Sequence, residues 1–258
     1  MRWSYKALLI AAAGITAVAA IAGSLLWISN QFDDRFRWRT PEYAKLRHLK
    51  AGFDTGMFRQ ALGPPAFVRR DRGLVERTYR GREYWVQTIE RPSGEVLEYA
   101  VTSCSEAFRP TFPLGPAGSI KLRRTSMRGA IRSNYPDFTE AVSLDYFLPG
   151  ATANTKLIEW IYGANPGNYK SFAWGVNDAC ADFYRTYAPL FSEDSPFQGK
   201  YGREYTGSLK DASSGAKRLR SQTRANTYAE TAPFIEFSYL LERNFQIGAD
   251  RILTRTAD

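Results

Sequence analysis

The residues able to do chemistry are few, and their spacing argues against most catalytic arrangements. The chain has one histidine, His48, set among basic residues in a segment that reads as a helix. A Ser-His-Asp or Cys-His site would have to be built on it, because the base that activates the nucleophile is an imidazole; an exposed helix histidine is the simpler reading. A zinc site needs about four Cys, His or carboxylate ligands, and His48, Cys104 and Cys180 show no ligand spacing. Neither GxxxxGK[ST] nor a strand-linked GxGxxG occurs, so no motif cradles a nucleotide phosphate. Asp137, Glu140, Asp145, Glu159, Asp178 and Asp182 fall in an aromatic-rich stretch and are the material for a sugar-cleaving carboxylate pair, but solvated or capping roles explain them more simply. The expectation is a chain without catalytic, cofactor or metal residues.

Residues suited to binding are more abundant. The net charge is +9, and basic proteins find anionic partners such as lipid headgroups, nucleic acid or acidic proteins. Arg69, Arg77 and Arg91 are interleaved with apolar positions, where charge protects strand edges, and that reading suffices for half of the basic residues. Lys217, Arg218, Arg220 and Arg224 differ, because they crowd a polar stretch free of competing acids; they are candidate partner-binding residues for an anionic surface. Trp160 and Trp174 join them, since aromatic and Arg side chains supply most interface energy. Cys104 and Cys180, the only cysteines, are expected to be joined, the alternative being two buried thiols.

Three larger segments must position these residues. Residues 7 to 28 contain no Asp, Glu, Lys, Arg, Asn or Gln, and a bilayer-spanning helix needs roughly 20 apolar residues. Trp3, Tyr5, Trp27, Phe32, Phe36 and Trp38 flank them as interfacial rings do. The expectation is a single-pass anchor (residues 1–30) in the inner membrane, a linker (31–40) and an extracytoplasmic, periplasmic body (41–258). A cleaved secretory signal is the competing reading.

Within the body, a helix is expected over 42–50 and another over GMFRQAL, capped by Asp54 or Thr55 and ended by Gly63, Pro64 and Pro65. Residues 66–71, 74–80, 83–91 and 95–103 alternate like four strands joined by short turns. The fold class expected is α+β: a helix-helix-meander module (41–115), then a loop-rich, aromatic second part (116–258). Thr55-x-Met57 and Thr125-x-Met127 hint that the module is duplicated. Residues 192–232 read as an exposed excursion, 234–241 as a strand and 251–255 as another.

Gly52, Phe58, Leu62, Gly63 and Pro65, in LKAGFDTGMFRQALGPPAF, resemble the opening of the small bacterial envelope modules related to the outer-membrane-assembly lipoprotein E and to β-lactamase-inhibitor protein. There an apolar helix and an LGxP turn precede an antiparallel sheet. The resemblance spans about 60 residues; the single histidine, the absent motifs and the abundant aromatic and Arg residues favour a non-catalytic module that binds a protein or an anionic envelope partner. The resemblance departs in lacking the lipoprotein cysteine and a second LGxP. Residues 165–180, NPGNYKSFAWGVNDAC, resemble a block of bacterial membrane-anchored proteins, which implies no activity. A cytoplasm-facing protein binding nucleic acid or anionic lipid is the alternative.

Overall fold

The computed structural model describes residues 37–132, 143–147, 156–163, 165, 167–187, 204–208 and 214–250. By its contacts the chain divides into Met1–Lys45 and Leu46–Asp258, and everything after the first helix belongs to the second unit. Helix α1 (Arg39–His48) comes first, then α2 (Thr55–Leu62). Asp54 caps α2 with its carboxylate, which accepts from the Gly56 N–H at 2.7 Å. Gly63, at φ 82°, ends the helix with its N–H donating to Arg59 O at 2.9 Å, and Pro64 and Pro65 forbid another turn.

Strands β1 (Phe67–Asp71), β2 (Leu74–Arg80), β3 (Tyr84–Glu90) and β4 (Val96–Ser103) then form the expected meander. Beyond it the chain departs from expectation. A small ribbon, β5 (Thr111–Pro113) with β6 (Ser119–Lys121), and a 3-10 turn at Arg128–Ala130 lead to β7 (Ser143–Phe147), β8 (Lys156–Tyr162) and β9 (Ser171–Asn177). Then come α3 (Phe183–Tyr187), β10 (Glu204–Ser208), α4 (Ser214–Gln222), β11 (Thr227–Thr231) and α5 (Phe237–Leu241).

The fold class is therefore corrected. Instead of a compact module followed by a loop-rich part, one nine-stranded sheet runs in the order β1-β2-β3-β4-β11-β9-β8-β7-β10, with neighbouring strands antiparallel. KLIEWIY and SFAWGVN are almost wholly buried, so they lack the alternation that marks a half-exposed strand. The 192–232 stretch holds β11, which lies at the centre of the sheet. FIEFSYLL is a helix rather than a strand over its second half, with Phe237 and Leu240 buried one turn apart. Residues 251–255 lie outside the described residues.

The single-pass membrane reading, with its inner-membrane and periplasmic placement, is corrected as well. Among the described residues no helix is long and apolar enough to cross a membrane. The longest, α1, has 10 residues, about 15 Å of helix against a hydrocarbon core of about 30 Å. Residues 7–28, whose hydropathy carried that reading, lie outside the described residues.

Two half-sheets meet at β4 and β11, where Ala100 stands opposite Ala229. Tyr99 and Tyr228 precede these alanines in their strands, and both are buried. The segments entering the two strands are bridged alike. Asp54 bridges Glu95 just before β4, and Ser126 bridges Arg224 just before β11. Val96 N–H donates to Phe53 O at 2.9 Å, and Ala225 N–H donates to Thr125 O at 3.1 Å. Asp54 thus matches Ser126, two residues out of step with the Thr55 and Thr125 pairing that sequence suggests.

Both sheet faces are covered. On one, Phe58 of α2 meets Tyr99 edge-on at 5.4 Å and Phe112 of β5 stacks on Tyr228 at 4.3 Å. On the other, Leu74, Ile89, Ala100, Ile158 and Ala229 pack under Phe237, Leu240, Phe245 and Ile247 of the chain after β11. The Cys104–Cys180 disulfide, Cα atoms 5.1 Å apart, joins the end of β4 to the loop after β9 across 76 residues.

Candidate interaction site

Arg220 of α4 turns into the protein, where its Nε and Nη2 donate to the two carboxylate oxygens of Glu159 on β8, the Nη2 bond at 2.7 Å. Both side chains are buried, and a two-point guanidinium–carboxylate pair fixes orientation as well as position. The helix therefore cannot roll without stranding Glu159. Thr223 closes α4, its N–H and hydroxyl both donating to Leu219 O at 2.9 and 2.8 Å. Lys217, Arg218 and Arg224 are left exposed, with no ion pair among the described residues.

Beside α4 lies a cleft of about 300 Å³ whose walls include Glu106, Thr186, Tyr187, Leu219 and Arg224. Arg123, next to Glu106 and Tyr187, ties two of these wall residues together. That buried guanidinium donates to Ser103 O at 2.9 Å and to Asp182 at 3.3 Å, and lies 3.5 Å from Glu106. The Tyr187 hydroxyl donates to Arg224 O at 3.0 Å. Burial pushes its phenol up to about 12 against the opposing pull of Arg123, so Tyr187 is a neutral donor throughout the physiological range.

Of the six residues that sequence singled out for binding, three face solvent and three do not. Trp174 is fully buried with its Nε1 donating to Met127 O at 3.0 Å, Trp160 packs in the apolar cluster under α5, and Arg220 holds Glu159. Their types suited an interface, but the same ring area and guanidinium geometry serve a core equally well. Asp182 was named only as a candidate carboxylate and its link to Arg123 was not foreseen, because nothing local in the sequence marks residues 59 positions apart as partners. His48 is exposed.

A second buried polar group lies where the half-sheets join. Glu98 on β4 is wholly buried; burial raises its carboxyl to about 8, with Lys156 and the Gly248 backbone pulling down and Glu76 pushing further up. Lys156 donates to Ile247 O at 3.1 Å. Gly248, at φ 83°, lies so close to the sheet that a Cβ there would come within 2.7 Å of Asn177 Nδ2. The segment after α5 thus seals this group from water. Comparison with known proteins gives no match to any family model, curated protein or solved structure.

Proposed function

We propose that this chain is a non-catalytic interaction module whose basic helix α4 takes an acidic segment of a protein partner. The supporting observation is the division of labour on α4. Arg220 is spent inside on Glu159, while Lys217 and Arg218 are held outward on a helix that cannot turn and Arg224 is exposed two residues beyond its end. Charge presented from a fixed element steers an oppositely charged partner and sets its register. The neighbouring cleft favours a peptide over a nucleic acid or a lipid headgroup. Tyr187 and Leu219 offer apolar surface to a side chain, and Glu106 at the same cleft repels phosphate.

The test is binding of a fluorescent peptide of Glu-Glu-Leu repeats, followed by anisotropy at low and at physiological salt. The Lys217→Glu, Arg218→Glu, Arg224→Glu variant is expected to bind roughly tenfold more weakly at low salt, with a flatter salt dependence, because exposed charges act through a screened field. Equal binding by the variant would return α4 to a solubilising surface. Tighter binding of a DNA oligonucleotide of the same charge would rule out the peptide reading.

A further inference from the structure

Two tight turns lie side by side at one end of the sheet, and each puts an aromatic ring where glycine is the usual residue. The β8–β9 hairpin turns through Gly167-Asn168-Tyr169-Lys170, with the Lys170 N–H donating to Gly167 O at 3.3 Å. Asn168 and Tyr169 have φ of 56° and 55°, the pattern of a type I′ turn, in which Tyr169 occupies a position that glycine dominates. Directly after β11, Ala232-Pro233-Phe234-Ile235 turns with the Ile235 N–H donating to Ala232 O at 3.2 Å. Proline followed by Phe234 at φ 63° is the type II pattern, which again asks for glycine or asparagine. A bulky residue at positive φ is a steric outlier, and such outliers persist where the surroundings hold them and collect at binding sites.

The two outliers hold one another. Phe234 N–H donates to Tyr169 O at 2.8 Å, and the rings stack with centroids 4.9 Å apart and planes within 18°. One face of Phe234 lies on Tyr169; the side chain is otherwise open, at 72% exposure, with Tyr169 at 39%. Tyr162, 40% exposed, stands opposite Ser171 in the hairpin, and the Ser171 hydroxyl donates to Ile235 O at 3.4 Å, which brings the strand end to the Phe234 turn. Asn165 and Asn168 are exposed on the hairpin.

Within the two turns Lys170 is the one charged side chain, in a chain of net charge +9. Lys170 is turned away onto Ala51 O at 3.1 Å and Glu230 at 3.2 Å. Glu236, beyond the turn, accepts from the Ser238 hydroxyl at 3.5 Å.

We propose that Tyr162, Tyr169 and Phe234 form a binding platform for a neutral glycan. A pyranose has one face of C–H groups that fits an open aromatic face, leaving water and meeting the negative side of the ring. Its hydroxyls need uncharged groups that both donate and accept, which asparagine amides and a tyrosine hydroxyl supply. An anionic ligand would find Lys170, the one cation of the two turns, already engaged. A protein partner would need about 800 Å² on this side, whereas three partly exposed rings, each about 150–250 Å² if fully buried by a ligand, fall short of that. The turns fix the platform beforehand, so little ordering is left for the binding step.

The experiment titrates the full chain with maltotetraose, cellotetraose and chitotetraose by isothermal calorimetry, beside Phe234→Gly and Tyr169→Gly. Glycine suits both turn positions, so the variants are expected to keep the fold, with Tm unchanged or raised by about 2–4 °C. At least one oligosaccharide is expected to bind with a Kd of about 1 mM or tighter, and Phe234→Gly to weaken it at least about tenfold. Silence with all three sugars, or equal binding by Phe234→Gly, overturns the proposal. So does a lowered Tm with binding kept, which would make the rings a structural clamp. Self-association of the wild-type chain that Phe234→Gly abolishes, without sugar binding, would give the tip to a second copy and likewise overturn it.

Discussion

The two half-sheets both bury charge but pair it over very different distances along the chain. In β1–β4 the buried carboxylates find side-chain partners close in sequence, although Arg69 and Arg72 also reach the backbone of Asn244 and Glu242. Arg69 and Gln87 both reach Glu76, at 2.8 and 2.7 Å, and Arg77 reaches Glu90 one strand away, 13 residues on. In the β7–β11 half the partners come from afar. Glu159 is held by Arg220, 61 residues on; Asn177 N–H donates to Asn226 Oδ1 at 2.9 Å across 49 residues; and Lys156 reaches Ile247 O across 91. A meander closes short loops before each contact forms, whereas the second half must close long ones, each at a larger entropic cost. The first half is built locally, and the second is held by a few distant ties.

The sharpest way to break this comparison is to cut one tie in each half. Arg220→Ala leaves the buried Glu159 without its partner, and is expected to cost about 3–5 kcal/mol in urea unfolding. Arg77→Ala, whose side chain is 21% exposed, is expected to cost less than half as much, because water can reach what is left. Equal costs would mean that the distant pair carries no special share of the second half.

The disulfide is the next largest tie, since it links the end of β4 to the loop after β9. Loop-closure estimates for a bridge spanning 76 residues give about 4 kcal/mol. The Cys104→Ala, Cys180→Ala variant is expected to lose about that much in chemical unfolding. Hydrogen exchange should show the loss concentrated in β8, β9 and β11. Uniform loss of protection through β1–β4 as well would show that the halves unfold as one and undo the distinction.

The seam itself supplies a smaller, pH-dependent effect. Glu98 titrates near 8 in the folded protein against an ordinary value of 4.5. Between those values the folded chain keeps a proton that the unfolded chain has released. Its contribution is therefore most favourable below about pH 4.5, falls as pH rises to about 8 and is level above that, with a slope of up to about 1.4 kcal/mol per pH unit. Glu98→Gln is uncharged at every pH, so the difference in urea midpoints between wild type and variant should grow through that window. A difference that stays constant with pH would place a charged Glu98 in the folded state.

The first half was legible for the same reason that it is locally built. Asp54, Gly63 and the two prolines mark the ends of α2 in adjacent residues, and short turns set the register of β1 to β4. The four strands fall within a residue or so of where alternation puts them. The second half was not legible, because burial on both faces erases alternation. β8, β9 and β11 therefore read as an aromatic, loop-rich region and a polar excursion. One signal was present in plain view: Tyr-Ala-Val-Thr at 99–102 and Tyr-Ala-Glu-Thr at 228–231 are the seam strands of the two halves. The candidate site divides the same way. The exposure of Lys217, Arg218 and Arg224 follows from a run of charge without acids, but the inward turn of Arg220 within that run depends on where Glu159 arrives.

By itself, the sequence determined the elements whose start and stop signals sit in neighbouring residues: α2 with its cap, the opening meander, and a cysteine pair with no other partners. Only the tertiary structure decided that β11 joins the halves at Ala100 and Ala229, that Trp160 and Trp174 are core, and that Tyr169 and Phe234 stack in the open from turns that favour glycine. Local signals act through backbone geometry within a few residues. These outcomes required side chains from distant segments to compete for the same buried space, and that competition has no trace at any single position in the chain.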